Sequence, residues 1–246
     1  ILSGAGVVLA DAIEDCKKIA EKLDAPVACG YQHNDSFPGK HPLAVGPLGY
    51  NGSKAAMEII SKADVVLALG TRLNPFSTLP GYGIDYWPKE AKIIQVDINS
   101  DRIGLAKKIS VGICGDAKLV AEQILSKLSS TAGDEGREDR KALIHQTKSA
   151  WLQTLTSLDH EEDDEGTSWN KDSRERDPDR MSPRMAWRAI QAGLPDDAII
   201  SSDIGNNCAI GNAYPTFEQG RKYLAPGLFG PCGYGFPSVL GAKIGC

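Results

Sequence analysis

The 246-residue chain is 41% hydrophobic and 24% charged, the balance of a globular protein with a real core, long enough for one large domain or two smaller ones. Its formal net charge of −5 argues against a nucleic-acid partner, which would show as a basic excess or stripe. No apolar run approaches the roughly 18 residues of a membrane span, and no signal-peptide pattern is present. The six cysteines, at 16, 29, 114, 208, 232 and 246, form no CxxC pair, which favours reduced cytoplasmic thiols over a zinc knot or disulfide framework.

In chain order, Ile1-Leu2 ends a buried strand and enters the glycine turn Ser3-Gly4-Ala5-Gly6. Residues 11–23 place Ile13, Cys16, Ile19, Ala20 and Leu23 on one helical face, and Pro26 to Cys29 forms a short apolar run. A Gly/Pro/His-rich loop is expected over 31–52, after which Ser53 caps a helix to about Lys62. Asp64 to Gly70 is a continuous apolar strand of the kind buried on both faces of a parallel sheet, and Lys92 to Ile98 is another. The run Ile109 to Cys114 follows, and Asp116 starts a helix with Val120, Ile124 and Leu128 on one side. This alternation predicts a doubly wound α/β domain over 1–128.

Residues 129–180 read as a linker containing a connecting helix over 141–158, and the acidic run Glu161 to Glu165 as a solvated loop without the spaced ligands of an EF-hand. A second α/β unit begins near Met181. Pro183 opens a helix with Met185, Trp187 and Ile190, and Ala198 to Ser202 is a strand that ends at Asp203-Ile204-Gly205. A chain that begins inside a strand without methionine and stops inside an apolar helix reads as an internal fragment.

Chemistry-bearing residues cluster at the turns. The third glycine of a dinucleotide fingerprint would fall at Leu9, so Gly4 and Gly6 are expected to serve a structural turn. Asp97 either meets a ribose hydroxyl or caps the helix that follows, and Arg72 either meets an anion or pairs with an acid. His33, His41, His145 and His160 have no metal-ligand spacing, and His33 and His41 are expected in a surface loop, with a pocket edge as the alternative. Gly205-Asn206-Asn207 lies where a strand meets a helix, a place for a bound diphosphate or for an ordinary Asx cap. Glycines at 230, 233 and 235 let backbone approach a ligand just before a small-residue helix.

The run Gly230-Pro231-Cys232-Gly233-Tyr234-Gly235-Phe236-Pro237 is similar to the aminopyrimidine-binding segment of thiamine-diphosphate enzymes of the acetohydroxyacid synthase and pyruvate oxidase type. Ser202 to Asn207, about 30 residues earlier, resembles their diphosphate-contact turn. The resemblance carried by the glycine-rich run at 230–237 implies that 181–246 is the start of a cofactor-binding domain. The resemblance implies that Gly205, Asn206 and Asn207 contact the diphosphate, that the Gly230 carbonyl accepts from the cofactor's amino group, and that Cys232 is the wedge beneath the bent cofactor. The family more often places methionine, leucine or isoleucine at that wedge, so Cys232 acts by shape and not as a nucleophile.

The runs at 30–38, 46–53 and 74–83 extend the resemblance to a branch of the family that converts a short sulfonated aldehyde and phosphate to acetyl phosphate and sulfite. That implies a cytoplasmic enzyme of sulfonate breakdown, homo-oligomeric at full length, using thiamine diphosphate and Mg2+. FAD or ADP in the middle domain stays open. The activating glutamate would lie before Ile1 and the magnesium motif after Cys246, so no catalytic residue and no metal ligand is assigned here, and the fragment alone is expected to be inactive. An acetolactate synthase-like carboligase or decarboxylase and a non-catalytic nucleotide-binding module are the alternatives.

Overall fold

A computed structural model describes residues 1–128, 136–160, 183–227 and 229–246. The acidic run at 161–165 and much of the expected linker lie outside the described residues.

Six parallel strands form one sheet: β1 (Leu2–Ser3), β2 (Val27–Cys29), β3 (Ala44–Pro47), β4 (Val65–Leu69), β5 (Lys92–Asp97) and β6 (Val111–Cys114), in the order β3-β2-β1-β4-β5-β6. The order reverses between β1 and β4, where Leu2 pairs with both Ala28 and Ala68. Such a switch point opens a crevice at the strands' carboxyl ends. Helices α1 (Ala5–Leu9), α2 (Ile13–Leu23), α3 (Lys54–Ile60) and α4 (Ala117–Lys127) cover the sheet. Ser53 and Asp116 cap the last two: the Ser53 hydroxyl accepts from Ala56 N, and the Asp116 carboxylate from Lys118 N and Leu119 N. Leu2, Ile19, Val27, Ala68, Leu69 and Val96 are wholly buried in a core shared by the sheet and its helices.

Strand β3 lies inside the segment expected as loop. Four residues that include Gly46 and Pro47 carry no alternation to read, and they are tolerated because β3 is an edge strand, where a missing N–H leaves no ladder partner unpaired.

Helix α5 (Arg137–His160), inside the expected linker, lies along the central domain. Its Ile144 is buried, Trp151 packs edge-on against Tyr82 at 5.4 Å, and Arg137 pairs with Asp24 at 3.1 Å. The second unit follows: α6 (Pro183–Gly193), β7 (Ile200–Ser201), α7 (Asn206–Ala213), β8 (Tyr223–Leu224) and α8 (Gly235–Gly245). Strands β7 and β8 form a two-stranded parallel sheet. No described helix is long and apolar enough to cross a membrane.

Candidate cofactor site

The turn after β7 is built around Gly205, at φ +118° and ψ −164°. Essentially only glycine occupies that region, so a side chain there would be strained. The turn aims the first residues of α7 outward, and Asn206 and Asn207 are exposed. Within the helix, Cys208 N and Ala209 N already bond to Gly205 O at 3.1 and 3.4 Å. The N–H groups of Asn206 and Asn207 are the orphan donors of an open helix start, which suits an anion. The Asn207 carboxamide also donates to Asp203 O at 3.2 Å, which stiffens the turn.

The second segment meets the first directly. An added Cβ at Gly230 would stand 3.0 Å from Ile204 Cδ1, and one at Gly235 would stand 3.1 Å from Asp203 N. Cys232 is exposed between them. The Asp203 carboxylate accepts from Gly233 N at 2.9 and 3.1 Å, from Tyr234 N at 3.4 Å and from Ile204 N at 2.8 Å. The Ile204 amide, helped by those of Gly233 and Tyr234, holds this carboxyl below the usual carboxylate range. The structure thus brings Gly205, Asn206, Asn207, Gly230 and Cys232 into one neighbourhood. Asp203 joins the two segments and is missing from the residues singled out in the sequence, because an acid at a strand end reads as an ordinary cap.

The loop expected at the surface is a buried joint instead. Gln32, Asn34 and Asp35 are buried where they bond to the second unit, while Ser36 is buried against Ser3 of β1 and Phe37 in the central core. Asn34 Nδ2 donates to the carbonyls of Asn212 and Pro215, Gln32 N donates to the Asn212 carboxamide, and Asp35 Oδ2 accepts from Lys222 N and Tyr223 N at 3.0 and 3.3 Å. Burial raises the Asp35 carboxyl pKa, and these amides oppose the rise. His41 sits near Glu21 at 3.2 Å and edge-on to Phe37.

At the switch point a cleft of about 510 Å³ is lined by Gly6, Gly30, His33, Arg72, Asp97 and Asp116, among others. Its glycine turn is a packing device. Gly4 N donates to Leu69 O at 3.1 Å, Gly6 N to Gly70 O at 2.8 Å and Val7 N to Gly4 O at 3.0 Å, so these amides are not free for a diphosphate. Leu9 is 71% exposed where a third fingerprint glycine would fall. Asp97 Oδ1 accepts from Asn99 N at 2.9 Å and acts as a turn cap. The residues of this turn therefore do not fit a dinucleotide diphosphate. Among the described residues no group of His, Cys, Asp and Glu is placed to hold a metal ion.

Burial, with the Arg72 guanidinium adding to it, lowers the His33 pKa from 6.5 to about 4. A depressed histidine contributes stability that is intact above the unfolded value and lost as pH falls from 6.5 toward 4. His33→Gln is therefore expected to flatten the decline in thermal midpoint across that window, and an unchanged slope would count against a neutral imidazole at this half-buried position.

A doubly wound parallel domain is followed by two glycine turns that meet over one carboxylate, an α/β arrangement with a candidate cofactor site. The chain belongs to the thiamine pyrophosphate enzyme family: residues 1–124 match the description "Thiamine pyrophosphate enzyme, central domain". It is 78% identical over 246 residues to a probable sulfoacetaldehyde acetyltransferase of Rhizobium meliloti (strain 1021), covering 100% of this chain and 42% of that protein. It is 76% identical over 246 residues to a sulfoacetaldehyde acetyltransferase of Roseovarius nubinhibens, covering 100% of this chain and 41% of the relative. A probable acetolactate synthase large subunit of Methanococcus aeolicus is 30% identical over 252 residues, with 99% of this chain and 39% of that protein covered. The chain thus spans about two-fifths of the length of these relatives.

Proposed function

We propose that these residues supply the central domain and part of the thiamine diphosphate site of a sulfoacetaldehyde acetyltransferase, which converts sulfoacetaldehyde and phosphate to acetyl phosphate and sulfite. The observation that carries the reading is the identity of 78% and 76% across the whole chain to relatives of that name, against 30% for an acetolactate synthase. In this reading the protein is a cytoplasmic enzyme of taurine and sulfonate breakdown, homo-oligomeric at full length.

Bound thiamine diphosphate supplies a carbanion that adds to aldehydes, and the protein's part is to bind and orient it. The N–H groups of Asn206 and Asn207 and their carboxamides would hold the diphosphate, and Gly205 would let the backbone approach it. The Gly230 carbonyl would accept from the cofactor's amino group, and Cys232 would support the cofactor by shape. Mg2+ accompanies the diphosphate, on ligands outside these residues. The overall conversion is redox-neutral: the aldehyde carbon rises to the acyl level as the sulfonate-bearing carbon becomes methyl. No external electron acceptor is needed.

The test uses the full-length enzyme. Sulfite release from sulfoacetaldehyde, dependent on phosphate and on added thiamine diphosphate with Mg2+, is the expected result. Pyruvate consumption without sulfite release would move the protein to the carboligase alternative. In the same enzyme, Asn206→Leu with Asn207→Leu removes two side-chain donors facing a multiply charged anion. Each hydrogen bond to a charged group is worth roughly 1.5–3 kcal/mol, so the cofactor Kd should rise at least about tenfold. A Kd unchanged by calorimetry would leave the turn as a helix cap only.

A further inference from the structure

We propose that Asp203 is a positioning residue that fixes the diphosphate turn and the Gly230–Gly235 run against each other, so that the two cofactor-contacting segments form one site before the cofactor arrives. The inference rests on the proposed function, and it concerns a residue that makes no contact assigned above to the cofactor.

An N-cap carboxylate normally accepts from the second or third amide of its own helix. Asp203 does not: α7 begins at Asn206 behind Gly205, which has no side chain to cap with. Besides the adjacent Ile204 N at 2.8 Å, the Asp203 carboxylate reaches a loop 30 residues away, where Gly233 N lies within 3.1 Å of both oxygens and Tyr234 N at 3.4 Å from one. The same residue's backbone carbonyl accepts from the Asn207 side chain at 3.2 Å. One residue therefore connects the start of the diphosphate helix to the backbone that precedes α8. Gly235 completes the contact, since a Cβ there would press on Asp203 N at 3.1 Å.

Where two binding segments are prealigned, the ligand spends less of its interaction energy on ordering them. Removing the carboxylate frees the Gly233 and Tyr234 amides and lets the loop drift. The cofactor must then restore the spacing, which weakens its binding even though no group that touches it has changed.

The experiment is cofactor titration of the full-length apoenzyme in the presence of Mg2+, with hydrogen exchange of the same samples without cofactor. Asp203→Ala should raise the thiamine diphosphate Kd on the order of tenfold, as expected for lost charge-assisted bonds. It should also speed exchange at Gly233 and Tyr234 while leaving strands β4 and β5 unchanged. Asp203→Asn keeps one acceptor oxygen and should fall between wild type and alanine, and it carries the test if the alanine variant fails to fold. The wild-type Kd should weaken as pH falls below the usual carboxylate range, by more than it does in the asparagine variant. Wild-type affinity in both variants would overturn the positioning role, as would faster exchange with no change in Kd. If wild type itself binds no thiamine diphosphate, the proposed function fails and this inference fails with it. Binding by wild type with equal binding by both variants removes the inference alone.

Discussion

Gly70→Ala in the full-length protein is expected to lower stability by about 3 kcal/mol, the sum of two separate costs at one position. Gly70 follows β4 with φ +60°, a left-handed conformation that costs a non-glycine residue on the order of 1 kcal/mol. It also lies against the turn after β1. An added Cβ would fall 2.7 Å from Gly6 Cα and from Val7 N, and these backbone atoms have nowhere to go. Gly6 N is bonded to Gly70 O at 2.8 Å and Gly70 N to Val96 O at 3.0 Å, so relieving the clash means opening the sheet at its switch point. Overpacking of this kind typically costs a further 1–3 kcal/mol. Gly83 supplies the control: its φ is +72°, yet nothing lies within 4 Å of an added Cβ, so Gly83→Ala meets only the conformational cost. Thermal or denaturant midpoints of the two variants give the comparison. Equal midpoints would mean that the close approach of Gly6 and Gly70 is not what holds the turn.

The central sheet was legible wherever burial leaves a local pattern. Residues 65–69 read as a parallel strand because the apolar run is unbroken, and 92–97 because Ile93, Ile94 and Val96 keep the segment largely apolar around the buried Gln95. Helices α3 and α4 announced themselves through Ser53 and Asp116, whose side chains make the cap bonds that their position implies. Strand β3 left no such trace, since an edge strand of four residues containing Gly46 and Pro47 has neither alternation nor an apolar run. The candidate site divided in the same way. Its glycines and asparagines are a local motif, readable from spacing. The work of Asp203 is done on amides 30 residues further on, and that of Asn34 and Asp35 on partners 178 to 188 residues away. A loop of polar residues with glycine and proline looks the same in sequence whether water or another domain covers it. Only the fold shows that Asn34 and Asp35 meet α7 and β8 rather than solvent.

That joint carries the second large effect, expected at Asn212 near the end of α7. Asn212 is completely buried, and its carboxamide is used at both ends: the oxygen accepts from Gln32 N, and Nδ2 donates to Tyr50 O at 3.3 Å. Its backbone carbonyl accepts from the Asn34 side chain, so three bonds to the central domain hold one residue. Asn212→Ala strands the buried Gln32 N–H, worth about 1–3 kcal/mol when left unsatisfied, and takes the donor from the part-buried Tyr50 carbonyl, so the expected loss is roughly 2–3 kcal/mol. Asn212→Asp should be worse at neutral pH, because it brings an ionised oxygen against the Tyr50 carbonyl in a buried site. That carboxyl would have a raised folded pKa, so stability should be lost as pH rises through it and recovered toward acid, where the protonated form can donate to Tyr50. The same helix presents Asn206 and Asn207 at its other end, so loosening its C-terminal anchor should also weaken thiamine diphosphate binding in the full-length enzyme. Unfolding midpoints at neutral and acid pH, with cofactor titration of each variant, give the readout. An aspartate variant no less stable than alanine at neutral pH, or both variants matching wild type, would show that the joint between the central domain and α7 does not depend on this carboxamide.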